Sequence, residues 1–217
     1  MSRAETMENF KNTEIYAITA EKMSRGRSNA EVVDQMLAAG IRFLQYREKE
    51  KSAREMYEEC RVLRQMTRSA GAAFIIDDFV DLALAVDADG VHIGQTDLPP
   101  AAVRRLVGPA KVIGLSTHNL EQLQAANAMG NLIDYIGVGP VFPTATKATA
   151  AVGLDYVRQA AHSSLLPYVA IGGIKEHNIG AVAEAGADTV AVVSGIVGAV
   201  DIDASIATLR RCFRAGN

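Results

Sequence analysis

Short β-branched runs alternate with longer segments of helical period eight times along this chain, and no other feature limits its fold as tightly. The strand-like runs are EIYAITA (14–20), IRFLQYREK (41–49), AFIIDD (73–78), GVHIGQ (90–95), KVIGLSTH (111–118), YIGVGPVF (135–142), PYVAIGG (167–173) and TVAVVSGI (189–196). Between them lie segments such as NAEVVDQMLAAG and SAREMYEECRVLRQMTRSAG, several closing on Ala-Gly, as helices ended by a glycine do. A period of two that gives way to about 3.6 in every unit implies a parallel sheet with crossover helices. Eight such units averaging about 25 residues predict an α/β chain of the (β/α)8 TIM barrel type, a single domain over 14–217. A doubly wound open sheet is the competing fold, and against it no GxGxxG follows the first strand. The polar residues 1–13 lie outside the repeats and are expected to be a flexible segment.

Composition narrows the partners. The chain has 217 residues, about half of them hydrophobic, and a net charge of -3. That charge, with few aromatics, leaves no basic footprint for nucleic acid. No window reaches the roughly 18 apolar residues of a membrane span, and the start has no apolar signal core, so the cytoplasm is the expected location. Cys60 and Cys212 stand alone, which argues against a disulfide framework or a zinc site. An anionic ligand would therefore be held by a local group of cations, and small-molecule substrates are the expected partners. A homo-oligomer is compatible with the sequence.

A parallel barrel gathers its chemistry at the C-terminal ends of its strands. In FLQYREK the strand alternation puts Gln45, Arg47 and Lys49 on one side and Tyr46 and Glu48 on the other. The third strand ends in Asp77-Asp78, and the fourth in Gln95 with Asp97 two residues on. Each aspartate alone reads equally as a helix N-cap; the pair on neighbouring strand ends favours Mg2+, which takes one or two carboxylates plus water and phosphate. Ser116 is a candidate phosphate donor, and His92 reads as a core or supporting histidine. Gly172-Gly173 and Ser194-Gly195 lie after the seventh and eighth strands, where bare backbone N–H groups approach phosphates in such barrels. FPTATK after the sixth strand adds two hydroxyls and Lys147. Two anion sites follow: the glycine amides, and the cations Arg47, Lys49 and Lys147 beside Asp78 and Asp97.

The ordered set QYREK, IIDD, GVHIGQTD, GLSTH, GPVFPTATK, AIGGI and VVSGI resembles the thiamine phosphate synthase family over roughly residues 13 to 215. The resemblance implies a transferase of thiamine biosynthesis that joins hydroxymethylpyrimidine diphosphate to thiazole phosphate with release of pyrophosphate. It implies that Gln45, Tyr46, Arg47, Glu48 and Lys49 line the pyrimidine diphosphate site, with Arg47, Lys49, Ser116 and Lys147 on the diphosphate. It implies Asp78 and Asp97 as Mg2+ ligands, and Thr144, Ala145, Thr146, Gly173, Val193 and Ser194 around the thiazole phosphate. Asp77, counted with the substrate-binding residues, stands where the family usually has Asn and cannot donate an amide N–H to a phosphate oxygen; a part in metal binding, a neutral acid and altered substrate handling are its open readings. Two other readings compete: a thiazole tautomerase, to which REKxxSARE is similar, and a non-catalytic protein binding thiamine precursors. A tautomerase has no need of the aspartate pair or the cation cluster.

Overall fold

The computed structural model describes residues 1–144 and 150–216. Eight strands, β1 (Ile15–Ile18), β2 (Phe43–Tyr46), β3 (Ala73–Asp77), β4 (Gly90–Ile93), β5 (Val112–Thr117), β6 (Tyr135–Val138), β7 (Tyr168–Ile171) and β8 (Val190–Val192), pair in chain order. All neighbours are parallel, and β8 returns to β1, so the sheet closes into a barrel as the repeat predicts. The expected strand-like runs are longer than the paired strands, because their polar ends leave the sheet to form the mouth.

Alternation along each strand divides two apolar layers. Residues such as Ile15, Ala17, Leu44, Phe74, Ile76, Val91 and Ile113 point outward and pack under the helices. Tyr16, Ile18, Phe43, Ile75, Val112, Tyr135 and Val169 point inward and fill the barrel. The outer layer is completed by α2 (Asn29–Ala38), α3 (Ala53–Ser69), α4 (Val80–Ala85), α5 (Pro100–Val107), α6 (Leu120–Ala128), α7 (Gly153–Ser163) and α8 (Ile179–Glu184). After β8 come a single turn, α9 (Ser194–Val197), and the closing helix α10 (Ile202–Arg214). In α3, Met56, Cys60, Leu63 and Thr67 recur at three- and four-residue spacing and form its buried stripe. Ser28 with Glu31 and Ser52 with Glu55 start α2 and α3 as reciprocal capping boxes, satisfying backbone donors that the helix leaves unpaired.

The first thirteen residues depart from the flexible segment expected of them. Arg3–Lys11 form a helix, α1, opened by a capping box between Ser2 and Glu5. Phe10 on this helix is only 2% exposed and enters the barrel from below, with ring centroids 5.2 Å from Phe43 and 4.7 Å from Tyr135. Arg3 reaches Asp134, which precedes β6. The helix thus closes the N-terminal end of the barrel, and chemistry is left to the other end.

Candidate active site

At the C-terminal ends of the strands lies a cavity of about 330 Å³. Its floor and walls are set by the inward positions of the strands. On β2 and just beyond it the alternation turns Gln45, Arg47 and Lys49 to the cavity. Tyr46 and Glu48, which the resemblance adds to the pyrimidine diphosphate site, are not among the residues that line it. Tyr46 is buried outside the barrel and donates its hydroxyl to Glu59 at 2.5 Å. Glu48 accepts from the Glu21 N–H at 2.9 Å and from Asn29 Nδ2 at 2.8 Å, so it ties the β1–α2 connection to the end of β2.

Opposite charges meet where β2, β3 and β4 end. Asp77 Oδ2 lies 3.3 Å from Arg47 Nε and 3.2 Å from Lys49 Nζ, and Lys49 also bonds Asp78. Burial, with the Asp78 carboxylate beside it, pushes the Asp77 acid up to about 6 in spite of the two cations. Burial pulls the Lys49 ammonium down, but Asp77 and Asp78 outweigh it and hold it above its ordinary value. Asp78 adopts a left-handed backbone, φ 62°, a conformation that aspartate tolerates better than most residues, at the point where the chain leaves β3. Asp97 reaches back so that its Oδ2 accepts the Gly94 N–H at 2.6 Å.

Asp78 and Asp97 both open on this cavity, so hard oxygen donors from adjacent strand ends face one space, as the fit to Mg2+ requires. Among the described residues Asp77, Asp78 and Asp97 line it together with Arg47 and Lys49. Among the described residues there is no cluster of three or more His, Cys, Asp or Glu side chains that could hold a metal. An ion here would take its remaining ligands from water and a substrate.

Across the cavity, β7 and β8 provide the second half. Gly173, Val193 and Ser194 line it, together with Thr144 from the loop after β6. A Cβ on Gly173, which has φ 65°, would lie 2.6 Å from the Pro143 carbonyl oxygen and 2.7 Å from Phe142 Cβ, so only glycine lets this loop pack onto the β7 end. Lys175 Nζ donates to Ser194 Oγ at 2.9 Å. Of the FPTATK expectations, Ala145, Thr146 and Lys147 lie outside the described residues.

The sequence reading names Ser116 and takes His92 as a core or supporting histidine, but overlooks the tyrosines beside them. Ser116 Oγ lies 3.0 Å from His92 Nε2, and His92 and Tyr16 both line the cavity. Burial keeps the phenols of Tyr16 and Tyr135 protonated. The available signal was a tyrosine at an inward position of two otherwise aliphatic strands.

Fold and mouth together define an α/β barrel enzyme with a cavity suited to anionic small molecules. Among the described residues no helix is long and apolar enough to cross a membrane. Comparison with known proteins narrows the class. The family model for thiamine monophosphate synthase matches residues 15–196. A thiamine-phosphate synthase of Pelotomaculum thermopropionicum is 55% identical over 212 residues, 97% of this chain and 96% of that one. One from Caldicellulosiruptor saccharolyticus is 49% identical, covering 96% and 95%. The solved thiamine phosphate pyrophosphorylase of Pyrococcus furiosus superposes with a TM-score of 0.85 at 38% identity, over 95% of this chain and 98% of that one. The chain belongs to the thiamine monophosphate synthase family, and it is an enzyme of the transferase class. None of these matches favours the tautomerase or the non-catalytic binding protein.

Proposed function

We propose that this protein joins hydroxymethylpyrimidine diphosphate to thiazole phosphate in the cytoplasm, forming thiamine phosphate and pyrophosphate. The observation that carries the reading is the arrangement of one cavity. Arg47, Lys49, Asp78 and Asp97 stand on one side and Gly173, Val193 and Ser194 on the other, so two phosphorylated substrates can face each other. Self-association is compatible with this reading.

The reaction breaks the bond between the pyrimidinylmethyl carbon and the diphosphate oxygen, and forms one from that carbon to the thiazole nitrogen. Arg47 and Lys49 face the cavity where negative charge grows on the departing diphosphate, and preorganised cations stabilise such charge; the resemblance adds Lys147 to them. Ser116 adds a hydrogen bond to the same group, and Gln45 orients the pyrimidine from the barrel interior. Gly173 and the Val193–Ser194 turn, with Thr144, Ala145 and Thr146, hold the thiazole phosphate, which aims the ring nitrogen at the carbon. The nitrogen carries its own lone pair, so orientation replaces a general base. Asp77 accepts from Arg47 and Lys49 and keeps both cations at the mouth. Mg2+ held by Asp78 and Asp97 would supply Lewis-acid stabilisation of the leaving diphosphate.

The test is pyrophosphate release by the purified protein given both substrates, in Mg2+ and in EDTA, beside an Asp97→Ala variant. Release that needs both substrates and Mg2+, and is lost in the variant, is the expected result. A folded protein that releases no pyrophosphate while a control enzyme does would overturn the reading.

A further inference from the structure

A single file of hydrogen bonds crosses the barrel beneath the mouth. Gln45 Nε2 donates to the Tyr16 hydroxyl at 2.9 Å, and the Tyr16 and Tyr135 hydroxyls are 3.0 Å apart. The Tyr135 hydroxyl is 3.1 Å from His92 Nδ1, and His92 Nε2 is 3.0 Å from Ser116 Oγ. Both ends of the file, Gln45 and Ser116, open on the substrate cavity. The two rings at its centre need room that only Gly114 leaves. A Cβ there would lie 2.3 Å from Tyr135 Cζ and 2.4 Å from His92 Nδ1.

The file has a direction, because each hydroxyl has one proton to donate. Tyr16 accepts from Gln45, so its own proton goes to the Tyr135 oxygen. Tyr135 then donates to His92 Nδ1, which makes His92 a neutral imidazole protonated at Nε2. That N–H donates to Ser116 Oγ, and the serine proton is left to point into the cavity. The reverse direction would turn the Ser116 proton towards His92 and its lone pairs towards a bound anion, which repels it.

We propose that His92 and Tyr135 are positioning residues that present Ser116 as a hydrogen-bond donor to a phosphoryl oxygen of the bound diphosphate. This rests on the synthase reading above for the identity of the anion, but the direction of the file does not.

Two measurements separate these. The 15N shifts of the His92 ring, assigned by loss of its signals in His92→Gln, report the tautomer without substrate. Protonation at Nε2 is expected, with the bias lost in Tyr135→Phe; protonation at Nδ1 would overturn the proposal. In pyrophosphate release, Ser116→Ala and His92→Leu are each expected to lower kcat about 10-fold or more, as for a hydrogen bond to a charged group. The double variant should be no slower than Ser116→Ala alone. His92→Gln, which keeps an N–H near the Nε2 position, should recover to within about 3-fold of the parent. An equal loss from His92→Leu with and without Ser116 would mean that His92 does not act through the serine, and would overturn the proposal. Should His92→Leu fail to fold, the tautomer and its response to Tyr135→Phe still decide the matter. A wild-type protein with the expected tautomer but no pyrophosphate release would sink the synthase reading and leave the file standing.

Discussion

The two ends of this barrel are built from the same side chains and put them to opposite uses. At the floor, Arg64 holds Asp89 with two parallel bonds, Nη1 to Oδ2 at 2.7 Å and Nη2 to Oδ1 at 2.9 Å, and Asp89 Oδ2 also accepts the Phe74 N–H. Asp134 is satisfied in the same way by Arg104 and by the Ile113 N–H. Each floor carboxylate thus has a guanidinium, a backbone donor and a second cation, the Met1 ammonium on Asp89 and Arg3 on Asp134. At the mouth, Lys49 is shared between Asp77 and Asp78, and Arg47 meets Asp77 through one nitrogen at 3.3 Å. Paired charges buried under the strands fasten them together. Paired charges that open on the cavity can be exchanged for a substrate.

The contrast breaks most visibly at the floor. Arg64 and Asp89 side chains are 6% and 0% exposed, so Arg64→Met would leave a buried carboxylate without its bidentate partner and with the Met1 ammonium as its remaining cation. A loss of about 3–5 kcal/mol is expected in denaturant unfolding, with pyrophosphate release per folded molecule unchanged. A loss below 1 kcal/mol would show that the floor pair is as exchangeable as the mouth. Lys49→Ala should do the converse. Its side chain is 41% exposed and Asp77 keeps Arg47 as a partner, so little stability is at stake. Removal of a cation facing the leaving diphosphate is expected to lower kcat about 100- to 1,000-fold, the range seen for one preorganised donor. Full activity in Lys49→Ala would make it a structural cation like Arg64.

The sequence makes one of these regions far more legible than the other. Period-two alternation along FLQYREK already separates Gln45, Arg47 and Lys49 from Tyr46 and Glu48, and the structure keeps that division. Only the resemblance, which takes the whole stretch as a unit, brought Tyr46 and Glu48 into the site. The closed barrel was legible because its signal repeats eight times. Helix α1 was not, since it buries only Thr6 and Phe10 and so writes no apolar stripe into residues 3–11. Nor was the file through Tyr16, Tyr135 and His92. Its members come together across 119 and 43 residues, and hydrogen bonds between distant strands leave no local pattern.

The smallest effect sharpens the comparison on pH. The Asp77 acid is pushed from 3.8 to about 6 in the folded state, chiefly by burial. Between those values the unfolded chain has released a proton that the folded chain keeps, so the folded state binds more protons and stability falls as pH rises through the window. Above about pH 6 both states are ionised and the deficit is constant. Asn at this position carries no such deficit. In Mg2+-free protein, Asp77→Asn is therefore expected to match the parent below about pH 4 and to exceed it by about 1–3 kcal/mol above pH 7. Denaturant unfolding at a series of pH values reads the difference directly. A gap that does not change with pH would mean that Arg47 and Lys49 satisfy Asp77 as fully as Arg64 satisfies Asp89, and the distinction between mouth and floor would fail at its most buried mouth residue.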